Sequence, residues 1–421
     1  MLEWNDTAPY NAVHMVRIPG PLNVERLGQV INSIVEWRGL TTLVLDREKG
    51  MYRYQGGAVV CELPRLPERL ADPPGLMAEI ERQLNAAFVP GDGFRPFRFF
   101  LAPADSSFWL GLTYFHAIAD AESVVLLMKE IVESYQGRNS EAPQGNSNLY
   151  PRCFDNLLRD NPRLMARKLS AIPGRVWDMA TSSRPPNRGG SWTMSWFTLF
   201  SLEAEALSRM KATARNWGVT LNDLFMGLLM HSIGPVARER FTVRRRRRVA
   251  VGCIVNTRKD LGMTRGQDFG LFLGSFIVTH AMPENVSLRQ LVADVNRQTR
   301  SIKQHKLYVG APLEMGLARL VLSVLPAGSG KQLYHRYYPL WGGVTNMNLN
   351  ALWSPADGEG PMDYIRAVST SPATPLVLSA TTVGNKINLA FTYRSSAYSQ
   401  KEAEEVKTRF LEGVNQLEVP A

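Results

Sequence analysis

Apolar residues recur along this chain with two different periods, and each change of period marks a boundary between elements. AVHMVRI (12–18) reads as extended, and 22–37 repeats its apolar residues at helical spacing. LTTLVLD (40–46) is extended again and turns at EKG (48–50) into YRYQ (52–55). A second amphipathic helix is predicted over 76–88, stopped by Pro90 and Gly91. RFFLAPADSSFWLGLTYF (98–115) predicts a β-hairpin with its tight turn at Pro103–Ser107. Apolar residues at 124, 125, 127, 128, 131 and 132 then place a helix over Glu122 to Tyr135.

From Gln136 to Tyr150 the composition shifts to Gly, Asn, Ser and Pro, which predicts a loop. A helical region follows to about Met179, and a second polar stretch, SSRPPNRGGS (182–191), predicts a crossover. Beyond it, strands are expected at 192–200, 249–258, 271–282, 343–352, 375–385 and 386–394. Helices are expected over 202–216, 221–233, 288–306 and 400–417. Helices and strands alternate in both halves, so the expected class is α/β (α+β). The expected organisation is an N-terminal lobe 1–181, a linker 182–191 and a C-terminal lobe 192–421.

With 45% hydrophobic residues, 421 residues suffice for one large or two medium cores. Cys61, Cys153 and Cys253 are far apart and form no CxxC pair, which argues against a disulfide scaffold or a cysteine-built zinc site. The start, MLEWNDTAPYNAV, lacks the basic and apolar regions of a secretory signal, and no run approaches the ~18 apolar residues of a membrane span. A soluble, cytoplasmic, monomeric protein is the expectation. Lysine and arginine outnumber aspartate and glutamate 48 to 38, a net charge of +10 that favours encounters with anions. Five of these charges are consecutive: Arg244, Arg245, Arg246, Arg247 and Arg248. The run reads either as a solvated loop or as a docking point for phosphate; it lacks the interleaved aromatics of a base-stacking surface, so nucleic acid is not an expected partner.

One window carries chemistry: Tyr114-Phe115-His116-Ala117-Ile118-Ala119-Asp120-Ala121-Glu122-Ser123, where a predicted strand hands over to a predicted helix. His116 with Asp120 four residues on suits a general base on a rigid mount. H-x-x-x-D is also a common chance pattern, with Asp120 or Ser123 serving as a helix cap. His14, His231, His280, His305 and His335 form no H-x-x-H or H-E-x-x-H spacing, so no metal is expected.

The same window resembles the His-His-x-x-x-Asp-Gly motif of the CoA-dependent acyltransferase superfamily. That superfamily includes chloramphenicol acetyltransferase, plant BAHD transferases, wax-ester synthases, polyketide-associated acyltransferases and nonribosomal peptide condensation domains. Other segments resemble it in the family's order. They are the 22–42 helix and strand, Gly218-Val219-Thr220-Leu221-Asn222-Asp223 at a helix entry, and Val255-Asn256-Thr257-Arg258 ending a strand. Asp268-Phe269-Gly270, Val344-Thr345-Asn346 and the tail to Leu417 complete the series, so the likeness covers most of the chain.

The resemblance implies two chloramphenicol-acetyltransferase-like sandwich lobes with a tunnel at their interface. His116 would take a proton from an alcohol or amine attacking a thioester carbonyl, with Asp120 and Arg258 as its orienting pair. No cofactor would be tightly bound. Acyl-CoA, or the phosphopantetheine thioester of an acidic carrier protein, would be the co-substrate of a small-molecule acceptor in secondary-metabolite or lipid biosynthesis. Asn346 and Thr345 are candidate oxyanion donors, with a buried asparagine satisfied by the backbone as the equal alternative; Ser123 is a candidate tunnel residue, and Arg244–Arg248 are candidates for docking the CoA 3′-phosphate or the carrier. Phe115 and Ala121 stand where most members carry histidine and glycine. These departures keep open a degenerate, non-catalytic condensation-like binding module; the third reading is a nucleic-acid or membrane-surface binder.

Overall fold

The computed structural model describes residues 8–46, 51–67, 72–89, 93–138, 148–149, 159–189, 194–263, 268–309, 339–354, 360–371 and 373–417. The predicted turn at 48–50, the stop at Pro90 and Gly91, most of the 136–150 loop, Cys153 and His335 lie outside these residues. In chain order the strands are β1 (Asn11–Pro19), β2 (Leu43–Asp46), β3 (Met51–Tyr54), β4 (Phe97–Ala104), β5 (Ser107–Phe115), β6 (Asn148–Leu149) and β7 (Ser195–Leu202). They continue with β8 (Val249–Asn256), β9 (Asp268–Phe269), β10 (Leu273–His280), β11 (Leu340–Asn348), β12 (Asp363–Val368), β13 (Leu376–Val383) and β14 (Lys386–Arg394). The helices are α1 (Val24–Trp37), α2 (Pro73–Asn85), α3 (Ala121–Tyr135), α4 (Pro162–Thr181), α5 (Ala204–Asn216), α6 (Leu221–Val236), α7 (Leu288–Gln304) and α8 (Gln400–Asn415).

Helix starts follow from local side chains. The Asn23 side chain accepts the Arg26 N–H at the head of α1, and Thr220 with Asp223 forms a reciprocal capping box on α6. α1 buries a stripe of Leu27, Ile31, Ile34 and Val35, whereas α6 is buried nearly all round. That difference reflects position: α1 lies on an outer face, while α6 is packed among the second sheet, α7 and α8.

Two sheets organise the molecule. The first, in the order β12-β1-β5-β4, is antiparallel throughout. The second, β10-β8-β11-β13-β14-β7, is mixed, with β11 running parallel to both β8 and β13. α1 and α3 cover one face of the first sheet, and α5, α6, α7 and α8 bury the core of the second. A third core lies between the sheets: Val13, Met15, Phe100 and Ile365 meet Leu76, Ile80 and Leu84 of α2, and Phe197 and Ala390 of the second sheet.

The division of the chain expected at 182–191 does not coincide with the division of the sheets. β12, from the second half, pairs with β1 along Ala12↔Val368 to Arg17↔Asp363 and so completes the first sheet. In the other direction Asn85, at the end of α2, exchanges two hydrogen bonds with the backbone of Ser195 (2.7 and 2.8 Å), tying the first lobe to edge strand β7.

Gly111 on β5 is opposite Phe100 on β4, and the phenyl ring lies over it so closely that a Cβ there would overlap the ring. Gly111→Val is expected to destabilise the protein by about 1–3 kcal/mol through overpacking. Guanidinium denaturation would read this as a lower midpoint at unchanged slope.

Candidate functional site

β5 ends at Phe115, and the chain turns through 116–119 before α3 begins at Ala121. The turn is held by backbone bonds: His116 N–H to Tyr10 O (2.9 Å), Ile118 N–H to Phe115 O (3.1 Å) and Asp120 N–H to Gly270 O (2.9 Å). Ala121 is the first helical residue, and the only non-glycine with positive φ among the described residues is Lys306. The chain therefore needs no glycine at 121. Phe115 is fully buried among Phe88 and Phe94, so its ring contributes to the core of the first lobe.

Asp120 serves as cap and ion-pair partner at once. Its Oδ1 accepts the Ser123 N–H (2.9 Å) and Arg258 Nη2 (2.9 Å), and its Oδ2 accepts Arg258 Nη1 (2.7 Å) and the Phe272 N–H (3.0 Å). The pair is bidentate and nearly inaccessible, at 1% for Asp120 and 4% for Arg258. Arg258 also stacks over the Phe272 ring (4.3 Å to the centroid), and Glu122, bound to Asn256 Nδ2 at 2.7 Å, approaches its Nε. Ser123 is drawn into the same knot. Its Oγ donates to Gly270 O (2.9 Å) and accepts from Gly270 N–H (3.1 Å) and Arg258 Nη2 (2.7 Å). The Asp268-Phe269-Gly270 segment thus lends its backbone to this knot and its Phe269 ring to the first lobe's core.

His116 is the half-buried group at the edge of the knot. Its Nδ1 lies 3.1 Å from Ala119 O. A carbonyl only accepts, so Nδ1 carries the hydrogen in the neutral ring and Nε2 keeps its lone pair. Burial, with a smaller contribution from the Arg366 charge, lowers the His116 pKa below the ordinary histidine value of 6.5; the Ala119 carbonyl and Asp120 oppose that shift. The Tyr10 ring tilts against the imidazole (5.0 Å), and Tyr114 meets it edge-on (5.7 Å). Tyr114 stands two residues before His116 in the same window, but nothing in the local sequence assigns Tyr10 or Arg366 to this site. Their proximity depends on the β12-β1-β5 pairing, which no local pattern announces.

Thr345 and Asn346 lie on β11, and the pleat turns them to opposite faces. Asn346 is paired with Ala380, which belongs to the second core, and its Nδ2 donates to Asn222 at the head of α6 (2.8 Å). Thr345 shares the face of Met347, which packs against the first lobe's core. The arginine run divides. Arg244 to Arg247 are exposed, while Arg248 is bound to Thr279 Oγ1 (2.7 Å) and Asp178 (3.3 Å) beside a surface cavity of about 420 Å³. The run precedes β8 and Arg258 follows it. At roughly 3.3 Å per residue the eight-residue strand separates them by about 26 Å. Among the described residues no helix is long and apolar enough to cross a membrane, and no cluster of His, Cys, Asp and Glu could hold a metal.

No family model matches the chain. Over 226 residues, 51% of this chain, it is 25% identical to a plipastatin synthase polypeptide of Bacillus subtilis (strain 168), and the matching stretch spans 8% of that protein. Among solved structures it is similar to the EpoB cyclization-docking bidomain from Sorangium cellulosum (TM-score 0.70, 14% identical, covering 98% of this chain and 80% of that one). It is also similar to the first condensation domain of the calcium-dependent antibiotic synthetase (TM-score 0.68, 16% identical, 97% and 91% covered). VibH, a nonribosomal peptide synthetase condensation enzyme, aligns with a TM-score of 0.61 at 13% identity over 99% and 92% of the two chains. The chain therefore has the condensation-domain fold, within the α/β architecture that the sequence resemblance implied.

Arg258→Met would leave the Asp120 carboxylate desolvated without its counter-charge, and the expected loss of stability is ~3–5 kcal/mol. Combining it with Asp120→Asn should recover part of that loss. Urea denaturation of the two single variants and the double variant tests this; additive losses would mean the two residues act independently.

Proposed function

We propose that the chain is a condensation-type acyltransferase of natural-product assembly, with His116 as general base. The observation that carries this reading is the Nδ1 contact to Ala119 O, which leaves Nε2 unprotonated on a rigid turn. In the proposed step Nε2 takes a proton from an acceptor amine or hydroxyl as that group attacks the carbonyl carbon of a thioester. The tetrahedral adduct then collapses, the C–S bond breaks, and the departing thiolate takes the proton back from His116. Acyl group and proton are both accounted for, and neither a covalent enzyme intermediate nor a bound cofactor is required.

Each neighbour has a part in this scheme. The Asp120–Arg258 pair, with Ser123 inside its knot, fixes the turn without touching the reactants. Thr345, on the face turned toward the first lobe, is better placed than Asn346 to line a passage between the lobes, because the Asn346 amide is engaged by Asn222. The donor is a CoA or carrier-protein thioester. Arg244 to Arg247, about 26 Å along β8 from the catalytic loop, serve as an electrostatic landing surface for its acidic or phosphorylated part rather than as a contact to the reacting carbonyl.

His116→Ala is expected to lower transfer by roughly 10²–10⁴-fold, read as thiol released from acyl-CoA or acyl-carrier donors. Equal, background rates in wild type and variant would favour a binding module instead. Because the neutral imidazole is the active form and its pKa is lowered, kcat/KM should hold constant through neutral pH. It should fall only as pH drops through a value below 6.5. Replacing Arg244–Arg247 by serine should raise KM for the donor and flatten its salt dependence while leaving kcat unchanged.

A further inference from the structure

The inference that follows rests on the reading above and starts from a buried charged group. Arg366 on β12 is the cross-strand partner of His14 on β1. His14 Nδ1 is 2.7 Å from the Tyr364 hydroxyl, its ring meets Tyr114 at 5.6 Å, and Tyr114 in turn meets His116. A file of polar side chains therefore runs from His116 along the face of the first sheet opposite the Val13, Met15 and Ile365 core. At the β12 edge of that face Arg366 reaches the second sheet: Nε donates to Thr381 Oγ1 (2.9 Å) and Nη2 to Ala380 O (2.7 Å), both on β13.

Arg366 is only 5% exposed, yet both of these acceptors are neutral and no ion pair to a carboxylate reaches it among the described residues. Of the other arginines buried to a similar degree, Arg240 and Arg258 each face a carboxylate, Glu284 and Asp120, while Arg394 bonds the neutral Thr370 O (3.3 Å). Burial of the Arg366 charge lowers its pKa to about 10, a measure of how poorly its environment compensates it. The two bonds use two of its five N–H donors. They occupy the Nε side of the fork, and Nη1 makes no hydrogen bond among the described residues. The remaining end of the fork suits a bidentate carboxylate.

We propose that Arg366 is the receptor for a free carboxylate on the acyl acceptor, held end-on by Nη1 and Nη2 on the sheet face that also carries His14 and Tyr114, the latter against His116. The acceptor class is then an amino or hydroxy acid whose carboxyl is not esterified, in contrast to an aminoacyl thioester tethered to a carrier. A carboxylate is charged before, during and after transfer, so Arg366 contributes mainly to acceptor KM. A role confined to the transient oxyanion would instead appear in kcat.

Two measurements on the whole chain test this. In the first, histidine-selective NMR follows the His116 titration in the presence of sodium acetate, with acetamide as the neutral isostere and sodium chloride as the ionic-strength control. Acetate should raise the His116 pKa in wild type and in Arg366→Lys but not in Arg366→Gln, and acetamide should raise it in none. An acetate shift that is absent in wild type, or equal in Arg366→Gln, overturns the assignment. In the second, acyl transfer to L-phenylalanine is compared with transfer to L-phenylalaninamide. The acid should have a KM lower by roughly ten- to a hundredfold, a preference lost in Arg366→Gln. Transfer indifferent to the carboxylate overturns the Arg366 proposal alone, whereas no His116-dependent transfer to any acceptor overturns the acyltransferase reading and leaves the acetate titration to decide the anion site. Thermal melts of both variants, with Arg366→Lys retaining the charge, separate loss of the site from loss of the fold.

Discussion

A single desolvated carboxylate organises the centre of this molecule. Asp120 receives four donors, two from a guanidinium and two from backbone amides, and each comes from a segment that must be in place for His116 to be held. The Ser123 amide belongs to the first turn of α3, Arg258 to the chain leaving β8, and Phe272 to the loop before β10. A buried ion pair contributes little net stability once desolvation is counted. Its value here is geometric: removing either member changes where three segments meet.

Around that point the lobes are joined by several different kinds of contact. The apolar core that includes Met15, Ile80 and Phe197 fills the space between the sheets, Asn85 satisfies the backbone of β7 at Ser195, and Phe269 enters the first lobe from the second. Such mixed bonding fixes how the two sheets meet, because the apolar contacts resist separation and the hydrogen bonds fix the register.

Much of this was legible in the residues. The strand-to-helix junction around His116 is visible because the apolar, aromatic-rich run through 107–115 ends where helical spacing begins. For Asp120 the two readings, helix cap and structural partner, turn out to be compatible, since one carboxylate oxygen cannot exhaust the acceptor capacity of the other. Less was legible where long-range pairing decides. DYIRAV is a six-residue strand with an arginine near its middle, and nothing local says that it leaves its own half to pair with β1. The placing of Arg366 beside His14 depends entirely on that pairing, whereas His14 meets Tyr114 through the pairing of β1 with β5. The five arginines look alike in sequence, yet Arg248 immediately precedes β8, bridges to Ser182 and bonds Thr279, and no composition rule distinguishes it from its four neighbours.

The origin of β12 also has a consequence for how the chain reaches its native state. The Asn11 N–H is bonded to Ser369 Oγ across 358 positions of sequence, so the outer margin of the first sheet is closed by a segment that leaves the ribosome long after β1 does. Until then β1 presents an unpaired rim of amides and carbonyls, a template for association with other nascent chains. Synthesis in this order delays maturation of the amino-terminal lobe, which waits on delivery of one short ribbon translated well after the rest of its sheet.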